Sequence, residues 1–313
     1  MRFFSRFLFL LVVSLSPLYG QKNEKNPWAF PKVSAPIQIT SEGKEHFFAS
    51  YYGINSWSKN QRYVTVLQTD IKDRLPEETD VAVLGMVDLT NHKFIPLTTT
   101  RAWNFQEGCM AHWLGTSPDS LIIFNDFRKG KFVSIIFNVH TKNEVKVIDR
   151  PISAVAPNGK EAVGLNYARL RKTRVDYGYA GNGQDAQTTV PFPDNDGIFR
   201  IDLQTGESKL LLSIKGIQDQ VPELKTDAIE YFAHILYSRN GSKLSWLARG
   251  FPQRNTTVFT INRDGTGLQR SFPDNWEGSH YDWLNDNELM VTANYEGKQY
   301  AHVLYTIGKK DYK

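Results

Sequence analysis

Apolar runs of four or five residues alternate with polar turn clusters along nearly the whole chain, in the pattern of strands rather than helices. They fall at 63–67, 81–84, 121–124, 133–137, 198–201, 244–247, 258–261, 289–292 and 302–305. They are rich in β-branched and aromatic residues and bounded by Gly, Asn, Asp and Pro. No stretch reads as a convincing amphipathic helix; 223–231 would make a turn or two at most. Two turns recur in fixed order. One closes an apolar run: Val87-Asp88-Leu89-Thr90-Asn91, Asn138-Val139-His140-Thr141-Lys142, Ile201-Asp202-Leu203-Gln204-Thr205-Gly206, Ile261-Asn262-Arg263-Asp264-Gly265 and Leu304-Tyr305-Thr306-Ile307-Gly308. The other precedes it: Ser58-Lys59-Asn60, Ser117-Pro118-Asp119, Pro157-Asn158-Gly159, Arg239-Asn240-Gly241 and Asn285-Asp286-Asn287.

Two turns and the runs between them define a repeated unit of four antiparallel strands, which is a β-propeller blade. The expectation is therefore an all-β propeller of about five four-stranded blades over 36–313, as one domain, with the last repeat ending at its third strand. The long interval between the second and third copies holds an insertion at about 166–197. Long structured loops on such a scaffold lie over one face and carry function, or merely decorate the surface.

Composition adds an N-terminal leader. Arg2 and Arg6 precede an apolar core at 7–16, too short for a spanning helix of about 20 residues. This reads as a signal peptide over 1–20, cut near Gly20, followed by a linker or strap at 21–35. The protein is thus expected in the periplasm or outside the cell, with no transmembrane segment in the mature chain, and as a monomer. The net charge of +4 includes the two leader arginines, so the remainder is nearly neutral and a nucleic-acid partner gains no support. Cys109 is the only cysteine and cannot pair within the chain; in its apolar run it reads as a small buried hydrophobe.

The innermost strands align on one another. Ile54 precedes Trp57, Met110 precedes Trp113, His234 precedes Tyr237 and His280 precedes Trp283, each by three positions. Two successive repeats therefore place histidine at one slot around the central axis. Such histidines serve a ligand or are core imidazoles satisfied by backbone carbonyls. Arg169, Arg171, Lys172 and Arg174 form a basic run at the head of the insertion, fit for a sugar carboxylate or simply solvated. Trp103, Tyr177, Tyr179 and Trp276 are loop aromatics able to stack on sugars.

The segments His234-Ile235-Leu236-Tyr237-Ser238-Arg239-Asn240-Gly241, Ile261-Asn262-Arg263-Asp264-Gly265-Thr266 and Gly278-Ser279-His280-Tyr281-Asp282-Trp283 resemble the oligogalacturonate lyase family of polysaccharide lyases. The opening stretch His46-Phe47-Phe48-Ala49-Ser50-Tyr51-Tyr52 looks like the family's His- and Tyr-rich first strand. Much of the pattern is shared with TolB-like propellers. The resemblance implies a seven-bladed fold and β-elimination of uronate-containing oligosaccharides, with His280 as the base that removes the proton α to the carboxylate. An imidazole suits that task near neutral pH when the developing negative charge is stabilised. The family neutralises it with a divalent metal held by histidines and a glutamine of later blades. Here the sequence runs only from Tyr281 to Lys313 beyond that base, short of those ligands, and the family arginine before the Ile-Asn-x-Asp-Gly turn is unmatched, Arg254 lying nearest. A metal site would need His234, His280 and Asp282 or Glu277. Substrate contacts would fall to His234, Arg169, Arg174, Trp103 and Tyr177. Two classes stay open: a lyase acting on acidic oligosaccharides, and a non-catalytic binding or scaffold propeller or inactive relative. The repeat count also asks whether Pro36-Ile37-Gln38-Ile39-Thr40 supplies a strand that completes a blade.

Overall fold

The computed structural model describes residues 33–40, 43–181, 190, 192–220, 229–250, 256–272, 278–295 and 297–309. The leader, most of the strap, Arg254, Trp276 and Glu277 lie outside them. By contacts the chain divides into a short unit, Met1–Gln38, and a compact one, Ile39–Lys313. No strand forms at 33–40, so the strand foreseen at 36–40 is not there; the first strand starts at Glu45.

Five antiparallel sheets follow in chain order, each wound as a simple meander. The first comprises β1 (Glu45–Phe48), β2 (Tyr63–Thr69), β3 (Ala82–Asp88) and β4 (Lys93–Thr100). The second comprises β5 (His112–Trp113), β6 (Leu121–Arg128), β7 (Lys131–Asn138) and β8 (Asn143–Ile148). The third has β9 (Ala154–Val155), β10 (Glu161–Gly164), β11 (Gly197–Asp202) and β12 (Ser208–Ser213), with helix α1 (Tyr167–Thr173) inserted after β10 and α2 (Ile214–Gln220) after β12. The fourth has β13 (Ile229–Tyr237), β14 (Lys243–Gly250), β15 (Thr256–Asn262) and β16 (Gln269–Arg270). Among the described residues the fifth has three strands, β17 (Gly278–Trp283), β18 (Glu288–Tyr295) and β19 (Lys298–Thr306). These are propeller blades.

Blade packing explains the hydrophobic pattern. The middle strands β6 and β7 are buried at six consecutive positions, because neighbouring sheets cover both faces. The outer strand β8 is mostly exposed. Four of the five repeated Asp-Leu-type turns are Asx turns, in which a carboxylate or amide caps the backbone two residues on. Asp88 Oδ1 accepts from the Thr90 amide and hydroxyl, Asn138 Oδ1 from the His140 and Thr141 amides, Asp202 Oδ1 from Gln204 and Thr205, and Asp264 Oδ1 from Thr266. The other repeated turn ties blades together. The Asn60 amide donates to Asp119 Oδ1 at 2.9 Å, and the Asn240 amide to Asp286 Oδ1 at 2.8 Å. Between sheets two and three, buried Asn125 bonds Ile152 through both its amide atoms and also reaches the Tyr179 hydroxyl.

The insertion corrects the expectation of a structure without helices. Asn166 caps α1 by accepting from the Arg169 amide, and Tyr167, Ala168 and Leu170 are buried on its inner side. The helix packs on β13 of the next blade. Arg169 is buried too, with Nη1 donating to the Val190 carbonyl at 3.1 Å. The basic run is thus a helix that locks two blades rather than a solvated loop.

Candidate functional site

Residues of the inner strands line two cavities, the first and second tiers. Tyr51, Tyr52, Glu107, Met110, Ser153 and His234 line one small cavity of about 10 Å³. One to three residues further along each strand, Ile54, His112, Ala154 and Leu236 line a second and larger one, together with Asp282, with Ile54 and Leu236 bordering both.

The aligned slot of the first tier has a special backbone. Met110, His234 and His280 all adopt left-handed conformations, with φ of 53°, 55° and 56°. In β13 the pairing register with β14 shifts between Ala233 and Leu236, and in β17 it shifts between Ser279 and Tyr281. Each histidine therefore sits in a bulge, which takes it out of the ladder and re-aims its side chain. Non-glycine residues held there carry about 1–3 kcal/mol of strain and cluster at functional sites. The slot that the sequence aligned is one conformational feature repeated in three blades.

The two imidazoles differ in environment. His234 is buried and lies parallel to Tyr51 with ring centroids 4.5 Å apart, while Tyr177 meets it edge-on at 5.0 Å. Its Nε2 is 3.4 Å from the Tyr51 hydroxyl. A hydroxyl donating there leaves the ring proton on Nδ1, which has no partner and lies 3.8 Å from Glu107 Oε1, too far for a direct hydrogen bond. Burial pushes the His234 pKa down to about 3, helped by electrostatic contributions from Arg249, His280 and Arg174. Burial pushes the Glu107 carboxyl up to about 8, against a hydrogen bond from Tyr167. Both are thus neutral at pH 7, and the pair is not an ion pair. Burial likewise raises Tyr51, and raises Tyr52 to about 12. His280 is exposed, with its ring 5.5 Å from that of Tyr52.

Tyr281 locks the two slots together, its hydroxyl donating to the His234 carbonyl. Gly108, at φ 59°, closes a tight loop begun at Asn104, whose side-chain oxygen accepts from the Glu107 amide. This loop delivers Glu107 inward. Arg249, on β14, acts electrostatically on His234, Tyr52 and Asp176 together.

The other sequence-predicted residues scatter. Tyr177 and Arg174 join the first tier: Arg174 lies over the Tyr177 ring at 4.6 Å and pairs with Asp176 at 2.8 Å. Trp103 is only 1% exposed, with its indole nitrogen donating to the Asp80 carbonyl, so it is a core residue with no face for a sugar. Tyr179 is equally enclosed, stacked on Tyr167. Arg169 is held inward by the insertion. Asp282 turns to the second tier and pairs with Arg239 at 2.8 Å. Cys109 is fully buried. Glu107 and Arg249 were not singled out from the sequence. The glycine after Glu107 was the available signal for the first; nothing local marks the second.

The donor set does not fit a divalent metal. Among the described residues no three His, Cys, Asp or Glu side chains come together to hold one. His234 is buried beside Glu107, His280 lies at the surface and Asp282 is engaged with Arg239.

No family model matches this sequence, and no curated protein does. Solved structures do. An oligogalacturonate lyase in complex with manganese superimposes with a TM-score of 0.58 at 16% identity, over 86% of this chain and 65% of that one. The oligogalacturonate lyase of Vibrio parahaemolyticus gives 0.56 at 11% identity, over 88% and 67%. A putative TolB from Agrobacterium tumefaciens gives 0.47 at 11% identity, over 88% and 82%. The chain shares the β-propeller fold of these lyases. It spans about two thirds of their length. Among the described residues, no helix is long and apolar enough to cross a membrane.

Proposed function

We propose that this propeller is an exported protein that binds uronate-containing oligosaccharides on the exposed face over the first tier, where His280 lies, and cleaves them by β-elimination, with His280 as base. The observation that carries the reading is the exposed imidazole of His280, held in a strained left-handed bulge beside Tyr52 at the mouth of an otherwise buried aromatic and histidine cluster. His280 takes the proton α to the carboxylate. The electron pair moves first into the carboxylate and then into a new C–C double bond as the glycosidic C–O bond breaks, and the departing oxygen takes a proton from solvent. The positive charge of Arg249, with Arg174 nearby, favours the carboxylate and the charge that develops on it. His234 does not act as base, since burial encloses it and makes it a poor proton acceptor; with Tyr51 it forms the floor beneath the site.

A second reading, a propeller that binds acidic sugars without cleaving them, is favoured by the lack of a metal-ligand trio among the described residues. Incubation with a panel of uronate oligosaccharides, with and without divalent cations, separates the two. Cleavage produces an unsaturated uronate and a rise in near-ultraviolet absorbance that His280→Ala abolishes. Calorimetric binding with no rise in absorbance supports the second reading. Unchanged turnover in His280→Ala rejects His280 as the base.

A further inference from the structure

The second tier of the channel takes no part in that chemistry, yet all five blades contribute to it. Its cavity is about 380 Å³, at the lower end of the range for small-ligand sites, about 300–1,000 Å³. Its walls combine apolar and aromatic surface, Ile54, Leu236 and Trp113, with polar side chains, of which three bear on binding: His112, Arg239 and Asp282. Each of these has a fixed role. The Nδ1 of His112 lies 2.7 Å from the Met110 carbonyl, so it must donate, which leaves Nε2 as a bare acceptor. Burial pushes the His112 pKa down to about 4, so the ring stays neutral at pH 7. Trp113 is half-buried, and its indole nitrogen donates to the Ser56 carbonyl at 3.0 Å, which fixes the ring. Asp282 and Arg239 pair at the mouth, with side chains 45% and 58% exposed.

The charges at this mouth already cancel. A carboxylate entering there would meet Asp282 beside Arg239, and an ammonium would meet Arg239 beside Asp282, so either gains little net attraction. A neutral ligand needs none. Arg239 has guanidinium donors beyond the one it gives to Asp282, and Asp282 has acceptor positions beyond those used by Arg239 and the Trp283 amide. A fixed indole, a neutral acceptor, spare donors and a spare carboxylate together suit a ring with hydroxyls around its edge and C–H groups on its face.

We propose that this second-tier cavity binds a neutral sugar ring, separately from the acidic-sugar site over the first tier. The ring would arrive as a free monosaccharide or as a neutral unit of a longer chain. The site does not depend on the β-elimination reading.

Titration by calorimetry and tryptophan fluorescence with glucose, galactose and neutral di- and trisaccharides tests the proposal. Galacturonate, alanine and dialanine serve as charged and zwitterionic probes. Saturable binding of a neutral sugar is expected, on the order of millimolar for a single ring, and tighter for the oligosaccharides if a longer chain is the source. Arg239→Gln and Asp282→Asn should each weaken it at least tenfold while the thermal melt shows a folded protein, and His280→Ala should retain it. Either of two results overturns the proposal: no neutral sugar binds saturably, or binding persists undiminished in both variants. Stronger binding of galacturonate or a zwitterion that is lost in Arg239→Gln but kept in His280→Ala would assign the cavity to a charged ligand and also overturn it.

Discussion

Replacing Glu107 with glutamine keeps the shape of the buried side chain and removes its only titration. The carboxyl lies in the first tier, 4% exposed, beside the unpaired Nδ1 of His234. Burial raises its pKa from 4.5 to about 8. A raised carboxyl pKa means that the folded protein binds the proton more tightly than the unfolded chain. The stability tied to that proton is fully present below about pH 4.5 and is lost as pH rises through about 8. At about 1.4 kcal/mol per pH unit, the wild type should lose up to about 5 kcal/mol relative to Glu107→Gln across that window, and about 3 kcal/mol of it by pH 7. His234 titrates in both proteins, so it largely cancels from the difference. Urea denaturation of the two proteins at intervals from pH 4.5 to 8.5 reads the effect directly. The glutamine variant should gain steadily on the wild type as pH rises. Two stability curves that run parallel across the window would refute the buried neutral carboxyl and with it the description of the pair as uncharged.

Further consequences concern the framework around the site. Glu161 binds Arg263 through two nitrogens, Arg200 at 2.7 Å and the Tyr237 hydroxyl at 3.1 Å, linking sheets three and four. Glu161→Gln should cost about 2 kcal/mol in urea denaturation, less than a wholly buried pair because both arginines are nearly half exposed; an unchanged midpoint would show that the link is dispensable. Gly108→Ala would set a Cβ 2.3 Å from the Ala49 carbonyl carbon in a backbone at φ 59°. It should lower stability by roughly 3 kcal/mol or more, and a melting temperature equal to wild type would contradict the close approach. Asn125→Ala removes three buried hydrogen bonds between sheets two and three and should cost about 2–4 kcal/mol, checked by thermal unfolding.

The blade repeat was legible because its chemistry is local. An Asx turn needs only an Asp or Asn and the two amides that follow it. A strand buried on both faces shows as an unbroken apolar run such as 121–124. The histidine slot was legible for the same reason, since it is a fixed offset from the aromatic that ends each inner strand. The helix α1 was missed because its seven residues carry a mixed pattern: the buried Arg169 reads as solvent-facing until β13 is packed against it.

Sequence alone determined the all-β propeller and the alignment of His234 with His280. It did not determine which of the two is accessible. That depends on Tyr51 and Tyr177, each distant in the chain from His234, closing over one ring while the other stays at the surface. Trp103 and Tyr179 show the reverse: aromatics in polar surroundings of the sequence that packing encloses completely. Tertiary structure also separated Asp282 from His280, two residues apart in the chain, into different tiers of the channel. Local pattern fixes the face and period of a strand. Access, charge and distance between blades arise only when segments far apart in sequence converge on one axis.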